Sequence, residues 1–348
     1  MRIIIIRPCC IGDVMMATAA LKAIRRHYPE ADITFAVGGW SRQAIEFHTD
    51  LNHILDTGQA AMPVKRLGGF WNMVSALRLG SYDIAVSLVR SPLMSLAVGL
   101  SGIPIRAGIS SGWRGFGYTH KAPTSPADVR PEAQIYLDVV AALGINTEGC
   151  YVNLPVPPEA TAYISDFLTR RGIKGPYLVV NPAGGSNPGM AMHSKRWPPE
   201  SFAQVADALA KAYGWQVVLL AGPDDSGIVN TVRSQMQAHT TTFIGELSFP
   251  QIAALTSQAA LYIGNDTGLT HIAAASGAPT VTVFGPSDPA RYAPYTPRAL
   301  ALWKSVALDQ GGVQQTQQMQ WDWTRDGIQP EDALQQIHTF IETPGNTQ

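Results

Sequence analysis

Four short stretches of this chain bring together residue types that could do chemistry. In "CCIGDVMMATAAL", Gly12-Asp13 stands where an apolar strand turns into a helix. Aspartate is favoured at such helix starts, and a carboxylate past a strand's carboxyl end is equally well placed to take a proton from a substrate. Further on, Gly184, Gly185 and Ser186 offer backbone N–H groups to an anion, and Lys195 and Arg196 add two cations ahead of a helix. A solvent loop with a Lys-Arg pair accounts for that stretch equally well. Asp224 and Asp225 follow another strand, where acids either hold ribose hydroxyls or cap the next helix. Last comes "IGNDTGLTHIAAASGAPTVTVFGPSDP". Asp266 and Thr267 read as caps and Gly268 allows close approach. The amides of Thr267, Gly268 and Leu269 form a helix start worth about 0.3–1 kcal/mol to an anion. His271 lies one turn in, and a lone histidine there is more often structural. Taken with Lys195, this turn describes a diphosphate site.

The same stretches exclude other chemistry. Gly184 and Gly189 have the Walker interval, but Met190-Ala191 stands where Lys and Ser or Thr must follow. No G-x-G-x-x-G occurs, and no Asp-x-Asp pair indicates a metal for the diphosphate.

The elements that must position these residues read as α/β. Apolar runs predict strands at 2–6, 32–37 and 83–88, with helices near 13–28, 41–48, 69–79, 91–100 and 131–143. The pattern restarts with a strand within 176–182, followed by strands at 216–221, 241–244, 260–263 and 280–284. Helices fall near 198–213, 225–238, 248–257 and 268–276. Two doubly wound halves result, with "TRRGIKGP" (169–176) as the linker-like stretch. Domains are therefore expected over 1–172 and 173–329, with a closing helix at 330–342. Open parallel sheets bind ligands at the carboxyl ends of their strands, and two such domains are expected to face each other across a cleft.

Composition narrows the partners. Hydrophobic residues make up 46% and charged residues 15%, which suits buried parallel strands. The net charge of −1 argues against nucleic acid as a partner. Residues 57–127, however, carry seven cations, including Arg106 and Arg114, against the single acid Asp83. That segment holds +6 and the remainder −7, so this half is expected to meet something anionic. Cys9, Cys10 and Cys150 show neither metal spacing nor a disulfide framework. The first two are expected to point opposite ways as small hydrophobes, in a reducing compartment. "MRIIIIRP" is too short for a signal peptide, and no stretch reaches the roughly 18 apolar residues that span a bilayer.

In order along the chain, "GDVMMATAAL", "KRWPPESFAQVADAL", "LAGPDD", "IGNDTGLTHIAAASGAPTVTVFGPSDP" and "IQPEDALQQI" resemble glycosyltransferase family 9, the bacterial ADP-heptose:lipopolysaccharide heptosyltransferases and their relatives. The resemblance implies a GT-B fold: two Rossmann-like domains, acceptor on the first, nucleotide sugar on the second, with the closing helix packing back on the first. It implies Asp13 as the base, with Gly12, Arg106 and Arg114 on the acceptor side. Lys195 becomes a phosphate-binding lysine, flanked by Arg196 and the Gly184-Gly185-Ser186 loop. Asp266, Thr267, Gly268, Leu269 and His271 become the donor block, with Asp224 or Asp225 near the ribose. The reaction implied is an inverting, metal-independent transfer from a nucleotide sugar, ADP-heptose, with no cofactor. The acceptor would be an anionic glycolipid, met at the cytoplasmic face of the inner membrane by a cytoplasmic, peripherally bound enzyme. Where heptosyltransferases often show a Thr pair, this chain has Gly-Gly-Ser, and the run to Lys195 is long and contains Pro188. Three alternatives therefore stay open: another nucleotide-hexose donor, an epimerase on the same scaffold, and a non-catalytic binder of nucleotide sugars or glycans.

Overall fold

A computed structural model describes residues 1–125, 127–187, 190–306 and 320–343. The chain divides into two units, Met1–Pro155 and Val156–Gln348.

In the first unit the unbroken run Ile3–Ile6 is almost wholly buried, as a strand covered on both faces by helices must be. It forms most of β1 (Arg2–Ile6). The chain then winds through α1 (Ile11–His27), β2 (Asp32–Val37), α2 (Gly39–Arg42), β3 (His53–Asp56) and α3 (Leu67–Leu79). It continues through β4 (Ile84–Ser87), α4 (Pro92–Leu100), β5 (Ile105–Ser110), β6 (His120–Pro123) and α5 (Glu132–Ala141). The strands lie in the order β3-β2-β1-β4-β5-β6, all parallel. Helices α1 and α5 pack together, as do α3 and α4.

The second unit repeats the plan. It opens with α6 (Pro158–Arg170) and continues with β7 (Tyr177–Asn181), the hairpin strands β8 (Ser186–Asn187) and β9 (Met190–Ala191), and α7 (Pro199–Tyr213). Then come β10 (Gln216–Ala221), α8 (Ser226–Gln235), β11 (Thr240–Ile244), α9 (Phe249–Ser257), β12 (Leu261–Asn265), α10 (Gly268–Ala275), β13 (Thr280–Val283) and β14 (Ala299–Leu302). The order β11-β10-β7-β12-β13-β14 is the same doubly wound order, again all parallel. Strand order reverses between β1 and β4 in one sheet and between β7 and β12 in the other. Ligands bind such sheets at those points, outside the carboxyl ends.

Two expectations about organisation need correction. The boundary lies at 155/156, and 169–176 is internal to the second unit. Helix α6 belongs there because Ala160, Ile164 and Leu168 are buried and Phe167 packs on Phe243 of β11. The closing helix, Pro330–Glu342, buries Ala333, Ile337 and Phe340 in the second unit's own core rather than on the first. That i, i+4, i+7 stripe finds its apolar partner on α7.

Candidate active site

Asp13 lies on the first turn of α1, one residue after Gly12, at the β1/β4 reversal. The capping reading holds for one of its oxygens: Oδ2 accepts the Cys10 amide at 3.2 Å. That oxygen also pairs with the Arg7 guanidinium at 2.7 Å. Oδ1 accepts only the Tyr136 hydroxyl among the described residues, at 3.3 Å. Arg7 donates to the Leu88 carbonyl past β4 at 2.9 Å and lies over the Tyr136 ring, 5.5 Å from its centroid. Burial works against the Arg7 charge, but Asp13 outweighs it and holds the guanidinium firmly protonated. Burial likewise pushes the Tyr136 hydroxyl well up, so it stays a donor. Behind them Arg90 pairs with buried Glu132 at 2.6 Å. The result is a carboxylate fixed on one side, with its other oxygen lightly engaged. Such a group is ready to take a proton.

Cys9 and Cys10, at the same turn, are joined to each other by a disulfide. The expectation of two separate small hydrophobes fails, because their sulfurs are bonded to each other. Pairing also removes the basis for inferring a reducing compartment. Of the acceptor-side cations, Arg106 is committed to its own loop. It donates to the carbonyls of Gly117 at 2.9 Å and Ile103 at 2.5 Å. Arg114 stays exposed on a 3-10 turn, Gly112–Gly115.

At the β7/β12 reversal the expected donor residues converge. The Asp266 carboxylate pairs with Lys195 Nζ at 2.5 Å, and the two side chains are only 7% and 14% exposed. His271 Nε2 approaches the other oxygen to 3.9 Å. Burial alone would push the Asp266 carboxyl up; Lys195 and then His271 overcome it and hold the group far below the usual carboxylate range. Lys195 has three N–H donors, so pairing with Asp266 leaves donors for a ligand. Neither Asp266 nor Thr267 caps α10: Thr267 is the N-cap residue but its side chain accepts no capping hydrogen bond. The first-turn amides of Gly268 and Leu269 therefore face outward without a side-chain oxygen, which is what an anion site requires. Gly184 has a φ of +104°, and a Cβ there would stand 2.1 Å from Thr267 Cγ2. Only glycine lets that loop lie against the turn.

Arg196 donates to the Gly184 carbonyl at 2.7 Å and pairs with Asp225 at 2.8 Å. That separates the two acids: Asp225 holds Arg196, whereas Asp224 is exposed. Ser186 is exposed on the β8 strand and joins none of these interactions. Sequence reasoning passed over Asn265, which is fully buried. Its Oδ1 accepts the Trp197 amide at 2.9 Å, and its Nδ2 donates to the carbonyls of Pro182 and Ala183 at 2.9 and 3.2 Å. A polar residue closing an apolar strand was the available signal. Arg7, which closes "IIIIR", carried the same signal, whereas Tyr136 and Glu132 had none nearby.

Known proteins resemble this chain in sequence and fold. The family model described as glycosyltransferase family 9 (heptosyltransferase) matches residues 70–320. Lipopolysaccharide heptosyltransferase 3 of Escherichia coli is 26% identical, over 84% of this chain and 86% of that protein. Lipopolysaccharide heptosyltransferase 2 of Salmonella typhimurium is 26% identical over 99% of this chain and all of its own length (100%). The solved ADP-heptose heptosyltransferase II of E. coli superposes with a TM-score of 0.72 at 22% identity, covering 98% of both chains. The fold is thus GT-B, and the molecule is a glycosyltransferase. Within that class the chain belongs to glycosyltransferase family 9, the heptosyltransferase family.

Proposed function

We propose that the protein moves a heptose from ADP-heptose to a lipopolysaccharide-type acceptor in one inverting displacement, without a metal. The similar proteins are lipopolysaccharide heptosyltransferases, one of them named for ADP-heptose, which supports this donor and acceptor. Asp13 Oδ1 takes the proton of the acceptor hydroxyl. The acceptor's own oxygen bonds to the anomeric carbon as the bond from that carbon to the diphosphate breaks, through an oxocarbenium-like transition state. The leaving ADP gathers negative charge, which Lys195 and the amides of Gly268 and Leu269 stabilise. Asp224 accepts from a ribose hydroxyl, since Asp225 is held by Arg196. The acceptor is lipid-anchored, so turnover takes place at the cytoplasmic face of the inner membrane.

The single observation that carries this reading is Lys195 standing against the uncapped start of α10, at the point where strand order reverses. Calorimetry with ADP, GDP and UDP tests the base, and transfer from ADP-heptose in the presence of a chelator tests the rest. ADP should bind tightest and turnover should survive chelation. Equal affinities, or turnover abolished by chelator and restored by a divalent cation, would overturn the reading.

A further inference from the structure

We propose that the outer face of the α3–α4 layer, together with the 3-10 turn Gly112–Gly115, is the surface by which the first unit lies on an anionic lipid bilayer. The inference rests on the lipid-anchored acceptor proposed above and assigns the contact to particular residues.

Among the described residues thirteen large apolar side chains are exposed, and eight of them fall between Leu67 and Phe116. Leu67 (77% exposed) and Trp113 (70%) are nearly bare. Soluble surfaces scatter such residues singly, and a concentration of them marks a contact. The concentration here is spatial as well as sequential. The outward side of α3 presents Leu67, Trp71, Ser75 and Arg78, spaced so as to share one face. On α4 the outward positions include Leu93 and Leu100. The two helices pack side by side, and the Arg78 guanidinium donates twice to the Leu100 carbonyl, at 2.8 and 3.1 Å. The 3-10 turn is held to α4 in turn: the Gly117 amide donates to Ser95 Oγ at 2.9 Å. A Cβ at Gly117 would lie 2.0 Å from the Ser95 carbonyl oxygen.

Topology places this patch beside the chemistry. Helices α3 and α4 each lead into a strand of an all-parallel sheet and run back along it. Their amino ends therefore lie at the carboxyl edge of the sheet, where Asp13 also lies. Leu67, Trp71, Leu93 and Trp113 thus share that edge.

Charge selects the occupant. Lys65, Arg66 and Arg114 flank the apolar residues at that edge and are exposed. Asp83, the one acid between 57 and 127, sits at the opposite edge, where its carboxylate accepts the Arg2 amide at 2.7 Å. Tryptophan and leucine interleaved with cations match the interfacial zone of a bilayer. An anionic leaflet adds about 1 kcal/mol per nearby Lys or Arg, roughly fivefold in affinity each.

Flotation of the purified full-length chain with phosphatidylcholine vesicles, with and without phosphatidylglycerol, tests the surface. Binding should require the anionic lipid and weaken in high salt. Lys65→Ser/Arg66→Ser should weaken it about 25-fold at the per-residue value above. Trp71→Ser/Trp113→Ser should weaken it too, while Tyr163→Ser on α6 should not. All these side chains are exposed, and an unchanged melting temperature confirms that each variant folds. Wild-type protein that ignores anionic vesicles would overturn the proposal. So would double variants that bind unchanged, or a concentration-dependent dimer abolished by Trp71→Ser/Trp113→Ser. Transfer to a deacylated, water-soluble acceptor separates the two readings, because Trp71→Ser/Trp113→Ser should leave it intact. If the wild type shows no such transfer but binds vesicles as described, the reaction reading fails and the surface stands.

Discussion

Replacing Lys195 by methionine should expose how the second unit balances a buried charge. The Lys195–Asp266 pair is separated by 2.5 Å with both side chains largely buried. Removing one partner of such a pair leaves an uncompensated charge and costs about 3–5 kcal/mol. At roughly 2–4 °C per kcal/mol for a unit of this size, the melting temperature should fall by about 6–20 °C. The pH dependence should also change sign. In the wild type the Asp266 carboxyl is held below its unfolded value of about 3.9, so its contribution is present above that pH and lost as pH falls further. In Lys195→Met, burial governs and raises the carboxyl, so taking up a proton relieves the penalty. The deficit relative to wild type should therefore be largest at neutral pH and above, and narrow as the pH is lowered. Adding Asp266→Asn should restore most of the melting temperature, yet leave ADP binding weak, because the ammonium proposed to meet the diphosphate is still missing. Thermal scans across pH and calorimetry with ADP measure both effects. A fall under about 2 °C, or a deficit that ignores pH, would refute the account of a mutually dependent buried pair.

Three other variants probe the remaining parts. Asp13→Ala should lower kcat by about 10²–10⁴-fold while ADP affinity holds, and near-normal turnover would remove Asp13 as the base. Arg7→Met takes away the cation 2.7 Å from Asp13 that fixes the carboxylate's orientation, so kcat should fall while ADP affinity and melting temperature hold; unchanged kcat, or a loss matched by an equal loss of stability, would make Arg7 a merely structural residue. Gly184→Ala forces a Cβ to within 2.1 Å of Thr267 at a φ of +104°. It should cost at least the roughly 1–3 kcal/mol of a strained backbone, read from urea unfolding, and weaken ADP binding in step.

Much of this molecule is legible from residue order, for reasons that differ between its parts. Runs such as Ile3–Ile6 and 216–221 are strands covered on both faces, and continuous apolarity announces them. Strands β3 and β6 escape notice because they end the sheet: "HILD" and "HKAP" keep exposed positions that need no apolar residue. Strand β5 hides for a related reason, with Arg106 and Gly108 interrupting its pattern. Helix α6 was overlooked because the charged, glycine-punctuated run at its carboxyl end looked like a boundary. The real division follows the prolines near 155. In the second unit the residues that gather at the β7/β12 reversal could be found because they lie on the loops or helix starts that follow strands, places fixed by local sequence. The surroundings of Asp13 were not. Tyr136 reaches it from 123 positions away, and the burial that makes Arg7 consequential is a tertiary property. Arg106 shows the converse, since charge counted along a chain does not say which carbonyls a long side chain will satisfy.

Asn265 has a consequence for how this enzyme can change. With one amide group it fastens the segment after β7, the segment carrying Lys195 to Trp197, and the end of β12. Those pieces are a single mechanical part, so a ligand that shifts one of them drags the others along. Altered sugar or nucleotide preference has little room to evolve inside that part, where any displacement propagates to Lys195. It is at peripheral positions such as Asp224 and Ser186, which hang outside the fastening, that one member of the family can diverge from another without displacing Lys195.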